Sequence, residues 1–145
     1  MRVVIQRVKS ASCVIDQKLV SSINHGYLLL VGFTHEDNIS NVKKMAKKIA
    51  NLRIFEDEAG KINLNISKVN GEILSISQFT LYANTNDGNR PSFIESMQPE
   101  LAKDLYNKFN EELRTYDLVV REGQFGANMQ IELINDGPVT INLEF

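Results

Sequence analysis

The stretch Gly26-Tyr27-Leu28-Leu29-Leu30-Val31-Gly32-Phe33 decides the architecture. Successive side chains of a strand face opposite ways, and this run is apolar on both alternating sets, so it must be covered on both sides. It predicts a central strand in a layered domain. Upstream, Arg2-Val3-Val4-Ile5-Gln6-Arg7-Val8 alternates and is rich in Val and Ile, and the same character runs through Ser12-Cys13-Val14-Ile15 until Asp16-Gln17-Lys18 interrupts it. This pattern predicts two strands joined by a tight turn. Downstream, from Asn38 to Arg53, the period changes. Val42, Met45, Ala46 and Ile49 fall at helical spacing, with Lys43, Lys44, Lys47 and Lys48 opposite, which predicts an amphipathic helix. The four lysines could touch phosphates, although charge on the outer face of a surface helix is more often plain solvation.

Further along, Glu56-Asp57-Glu58-Ala59-Gly60 reads as an acidic turn, and Glu72 to Tyr82 returns to strand composition. Asn84 to Pro91 is a polar loop. A second helix is predicted over Pro99 to Thr115, with Leu101, Ala102, Leu105, Tyr106, Phe109 and Leu113 on its inner face. Three late strands are expected near Leu118, Met129 and Val139. No repeat or interdomain linker interrupts the 145 residues, so residues 1–145 are expected to form one mixed α/β domain.

Composition narrows the function. Apolar residues at 43% and charged residues at 23% are ordinary for a globular chain. The net charge of −2 gives no overall attraction to a polyanion, so any nucleic-acid contact must come from local clusters. The N-terminus runs directly into a strand pattern without a targeting signal, and the longest apolar run falls far short of a membrane span, predicting a cytoplasmic protein. Cys13 stands alone and reads as a small buried hydrophobe. The histidines, His25 and His35, have no metal-ligand spacing and read as surface residues, so no metal is expected. Nucleophile-elbow, phosphate-loop and dinucleotide motifs are missing, which removes several large enzyme classes.

Two segments stand out. Ser77-Gln78-Phe79-Thr80-Leu81 places three polar side chains in an otherwise apolar strand; Gln78 and Thr80 would share one face, Ser77, Phe79 and Leu81 the other. Half-exposed strand polarity accounts for this as well as a site does. Asn135-Asp136-Gly137-Pro138-Val139-Thr140 carries a turn signal ahead of a proline, and a plain turn accounts for it.

Together with Gln6-Arg7-Val8, Arg53-Ile54-Phe55, Gly60-Lys61-Ile62-Asn63-Leu64, Gly88-Asn89-Arg90-Pro91-Ser92-Phe93 and Phe125-Gly126-Ala127-Asn128-Met129, these two segments resemble, in order and from end to end, the D-aminoacyl-tRNA deacylase family. The resemblance implies largely antiparallel, barrel-like sheets covered by helices. It implies a homodimer without cofactor or metal that hydrolyses D-aminoacyl-tRNA, and glycine mischarged on tRNA(Ala), as chiral proofreading. Ser77, Gln78, Phe79 and Thr80 would form the catalytic segment, and Gly137, Pro138, Arg7, Phe125, Ala127 and Met129 would bind substrate. A cis Gly137-Pro138 unit would reach the partner's site and reject L side chains with its backbone, held in place by Arg7. The RNA 2′-hydroxyl and backbone N–H groups near Phe79 and Thr80 would supply the chemistry, in preference to Thr80 as a covalent nucleophile. Two positions depart from the family pattern: Asn86-Asp87, where relatives carry basic residues, and Glu122. The alternatives are a nucleic-acid-binding module without turnover and a hydrolase of some other small ester.

Overall fold

The computed structural model describes residues Met1–Phe145. Strand β1 (Arg2–Ile15) organises it, because its 14 residues pair along both edges. On one edge Arg2 to Val8 pair antiparallel with β3 (Gly26–Gly32), and Ala11 to Ile15 with β2 (Lys18–Ile23). Asp16 and Gln17 close the β1–β2 hairpin at φ values of 48° and 63°, the left-handed geometry that a two-residue hairpin turn demands. Beyond β3 lie β6 (Glu72–Ser77) and β7 (Val120–Glu122), both added in parallel. The predicted central strand is indeed covered on both faces. Tyr27, Leu29 and Val31 enter a 23-residue core beneath the helices, while Leu28 joins a seven-residue core on the opposite face with Val8, Ala11, Cys13, Ile23, Leu74 and Ile76. The sheet curls around this smaller core into a nearly closed barrel, with Ser21 on β2 reaching Glu122 O on β7 at 2.8 Å.

Helix α1 (Ile39–Asn51) begins at an Asn38 cap, whose side chain accepts from Ser40 N while Asn41 reciprocates, and it buries Val42, Met45, Ala46 and Ile49 as its period requires. A separate ribbon of β4 (Arg53–Glu56) and β5 (Ile62–Asn65) follows the helix. Helix α2 (Pro99–Arg114) packs beside α1. Its buried stripe is Ala102, Tyr106, Phe109, Asn110 and Leu113. Leu101, expected inside, is 59% exposed; at 100° per residue it lies roughly 120° from the centre of that stripe. No helix is long and apolar enough to cross a membrane.

Two sequence expectations are corrected where they matter most. Strand β6 ends at Ser77, and Phe79–Tyr82 forms a 3-10 turn, so Gln78 and Thr80 do not share a strand face. The last rung is Gln78 N to Val31 O at 2.7 Å. β3 ends at Gly32, so no neighbour remains to pair with; the turn folds across Gly32, where a Cβ would sit 2.9 Å from Gln78 O and 3.1 Å from Leu81 Cβ. Glycine is what lets the chain cross there. The second correction concerns the late strands. There are two, not three: β7, and a single 15-residue β8 (Gln130–Glu144) that runs through Asn135-Asp136-Gly137-Pro138. β1 offers it an antiparallel edge from Arg2↔Glu144 to Val14↔Gln130, interrupted by register shifts on either side of Val8, where Asp136 to Val139 have no partner on β1. Within them Gly137 takes φ +121° and the Gly137-Pro138 peptide is cis.

Candidate active site

A cavity of about 290 Å³ opens where the parallel pair β3 and β6 end. One wall is Ser77, Gln78 and Phe79, leaving β6; the opposite wall is Phe125, Gly126, Ala127, Asn128 and Met129, the segment before β8; Phe33, Met97 and Ala102 close the helical side. Of the ten expected site residues, six therefore meet here: Ser77, Gln78, Phe79, Phe125, Ala127 and Met129. Phe33, Met97 and Ala102 were not foreseen as site residues, because apolar residues in a strand end, a loop and a helix carry no signal that distinguishes a cavity wall from core.

The cavity's electrostatic character is set by what lines it. None of its 15 residues has a side chain that titrates. Behind the Phe125 wall the Tyr106 ring packs at 5.9 Å between centroids, and its hydroxyl donates to Ser75 O at 2.7 Å. Burial pushes that phenol up to about 12, partly opposed by its hydrogen bonds, so it stays neutral. Gly123 completes the wall: a Cβ there would lie 2.5 Å from Met129 Sδ and 3.0 Å from Ile76 Cδ1.

Thr80 lies just outside the lining, exposed, and its Oγ1 accepts a hydrogen bond from Gln78 Nε2. Both histidines are bonded to backbone carbonyls elsewhere. His25 is bonded to Val69 O and His35 to Ile94 O, each at 2.6 Å. The 3-10 turn offers something else. The Gln78 side chain, at its N-cap, accepts no hydrogen bond from the turn's backbone, and the first N–H groups of such a turn have no acceptor within it. Those are the amides of Phe79, in the cavity wall, and of Thr80, next to it.

Arg7, Gly137 and Pro138 form a second locus. Arg7 is only 5% exposed. Its Nη1 donates to Ile54 O at 2.7 Å and its Nε to Asp136 O at 3.0 Å, with the Asp136 carboxylate 3.5 Å away and Glu56 at 3.9 Å. The guanidinium thus ties β1 to β4 and to the β8 backbone immediately before Gly137. Gly137 is crowded as well: a Cβ would meet Val139 Cγ2 at 3.0 Å and Arg7 Nη2 at 3.1 Å. Gly137 and Pro138 are exposed and line no part of the cavity. Register puts them three strands across the sheet and four residues along from Ser77, roughly 20 Å over its surface. Within one chain the two loci do not meet.

The remaining chemical groups are scattered. Cys13 is buried in the smaller core, and burial raises its thiol pKa. Lys43, Lys44, Lys47 and Lys48 are exposed on α1 and enter none of the five ion pairs. No group of three His, Cys, Asp or Glu side chains that could hold a metal ion occurs.

The chain is similar to known proteins along its whole length. The sequence model of a family described as D-Tyr-tRNA(Tyr) deacylase matches residues 4–144. A D-aminoacyl-tRNA deacylase of Fusobacterium nucleatum is 57% identical over 144 residues, covering 99% of this chain and 95% of that protein. One of Lactobacillus gasseri is 58% identical, covering 99% of each. Among solved structures, a c-Myc DNA unwinding element binding protein superposes with a TM-score of 0.93 at 42% identity, covering 100% of this chain and 99% of that one. A probable eukaryotic D-amino acid tRNA deacylase gives 0.86 at 15% identity, covering 98% and 97%, a likeness of fold. The full-length family match, and relatives sharing more than half of their residues with it, establish that the chain belongs to the D-Tyr-tRNA(Tyr) deacylase family.

Proposed function

We propose that this chain is a cytoplasmic homodimeric hydrolase of D-aminoacyl-tRNA, and of glycine mischarged on tRNA(Ala). The observation that carries the reading is a cavity without a titratable side chain, bordered by two backbone amides with no acceptor in their turn. An aminoacyl ester is already activated, so what it needs from the protein is placement and stabilisation of the oxyanion. Water adds to the carbonyl carbon; the negative charge on the carbonyl oxygen is met by the N–H groups of Phe79 and Thr80. The RNA's own 2′-hydroxyl relays a proton to the departing 3′-oxygen, leaving free amino acid and tRNA. Selection comes from the second locus. In a symmetric dimer the exposed Gly137-Pro138 backbone of one chain faces the cavity of the other, where an L side chain meets it and a D side chain or a hydrogen does not.

The test is release of labelled amino acid from D-tyrosyl-tRNA and L-tyrosyl-tRNA, with two disruptive variants. Gly137→Arg and Ser77→Arg should each be inactive alone. Mixed as refolded subunits, they should recover about a quarter of wild-type activity, because half the dimers are mixed and one site in each is intact. Release of the L form at the same rate, or no recovery on mixing, sinks the respective part of the reading. A second reading, a nucleic-acid-binding module without turnover, draws on the solved relative named for binding a DNA element and on the exposed lysines of α1. Tight binding of tRNA with release from neither substrate would select it.

A further inference from the structure

Beside the cavity mouth lies an apolar surface of side chains that the core does not bury. Phe79 is 58% exposed, Phe93 38% and Ile94 79%. The two rings sit edge to face, with centroids 5.1 Å apart and planes at 69°, so ring surface is left open to solvent. Phe79 also lines the cavity, which makes this patch continuous with it.

The patch is held rigidly. Asn84 and Ser92 exchange two backbone hydrogen bonds of 2.8 Å that close the intervening loop just before Phe93. Behind Phe93, Thr34 Oγ1 donates to Glu95 O at 2.6 Å, His35 engages Ile94 O, and Ser96 Oγ donates to Phe79 O at 3.0 Å. Five hydrogen bonds thus hold the backbone around Phe79 and Phe93 with their ring surface exposed to water, which is unfavourable for the free protein and characteristic of a binding surface. Arg90, in the closed loop, adds an exposed positive charge.

We infer that the Phe79–Phe93 pair is a stacking platform for the unpaired nucleotide that precedes the esterified adenosine of the RNA. This rests on the proposed deacylase reading, which puts the terminal nucleoside at the cavity. The next base of a single-stranded 3′ end then lies one nucleotide step outside, and unpaired bases are held by aromatic faces because every base has a π surface to offer. The platform reads the presence of RNA, not its sequence.

The chain contains no tryptophan, so Phe93→Trp creates a single fluorescent reporter at the platform. Titrated with the oligonucleotide ACCA, it should be quenched; adenosine alone should leave it unquenched. Kinetically, Phe93→Ala should lower kcat/KM for D-tyrosyl-tRNA relative to kcat/KM for D-tyrosyl-adenosine by about tenfold to a hundredfold, chiefly through KM, and Phe93→Tyr should restore the ratio. An unchanged ratio in Phe93→Ala, no quenching by ACCA, or equal quenching by adenosine overturns the platform. Dissociation of the Phe93→Ala protein into monomers also overturns it, because the patch would then be covered by a second copy. If the wild type releases neither amino acid while ACCA still quenches, the platform stands and the hydrolytic reading has failed.

Discussion

The two loci of this protein are built on opposite principles. Around Arg7 every donor that matters is committed: a buried guanidinium spends its hydrogen bonds on Ile54 O and Asp136 O, and crowding leaves no space at Gly137. Around Ser77 to Phe79 the reverse holds. The cavity has no charge, its wall includes exposed ring surface, and its backbone amides await an acceptor. The difference teaches a division of labour. The first locus commits polar groups to holding a backbone shape, and the second leaves polar groups free; under the proposed function these would serve exclusion of one enantiomer and stabilisation of an oxyanion.

The largest blow to this contrast should come from Arg7→Met. It removes two charge-assisted hydrogen bonds and orphans two carbonyls, so unfolding free energy should drop by about 2–4 kcal/mol in urea titration. Arg7→Lys should recover little, because one ammonium cannot serve both carbonyls as a planar fork does. Wild-type stability in Arg7→Met would mean that the locus is not held as described. Next, Gly137→Ala adds a Cβ against Arg7 and Val139 at a φ of +121°. It should cost about 1–3 kcal/mol and weaken discrimination between D- and L-tyrosyl-tRNA before it affects release of the D form; an unaltered D/L ratio would detach the locus from selection.

Alkaline pH probes the packing behind the cavity. Burial pushes Tyr82 and Tyr106 up to about 12 and raises Tyr27 further. The unfolded chain therefore loses these protons near pH 10 while the folded chain keeps them. Their contribution is intact below pH 10 and fades as pH rises toward 12. Urea midpoints should fall across that window, and less steeply in Tyr106→Phe; parallel curves would remove Tyr106 from the account. The smallest effects concern the hydroxyl beside the cavity and the pH dependence of release. Thr80→Ala should retain activity within about tenfold, since a bystander hydroxyl contributes far less than a nucleophile. The pH–rate profile between 6 and 8.5 should lack the bell shape that a protein acid–base pair gives.

How much of this was legible in advance differs between elements for physical reasons. The buried strand at Tyr27–Val31, the capped helix after Asn38 and the Asp16-Gln17 hairpin are local matters, set by periodicity, capping and turn chemistry within a few residues. The end of β6 was not legible, because it depends on where a different strand, β3, runs out of partners at Gly32. The course of β8 was not legible either: the Asn-Asp-Gly segment leaves the ladder only locally, and the strand resumes along the edge that β1 supplies from Arg2 to Val14. In the candidate site, the polar Ser77-Gln78 pair and the Phe125–Met129 segment could be singled out from the sequence through family resemblance, whereas Phe33, Met97 and Ala102 could not.

By itself, then, the sequence determined the buried central strand, the β1–β2 hairpin, two amphipathic helices, and the family pattern in which they stand. The tertiary structure alone decided that β6 stops where it does, that two separated segments share one uncharged cavity, and that Gly137 lies far from Ser77 across the sheet. Periodicity reports only whether a residue faces inward. Which inward-facing residues leave a gap, and which distant strand offers an edge, depends on contacts between segments that no local pattern encodes.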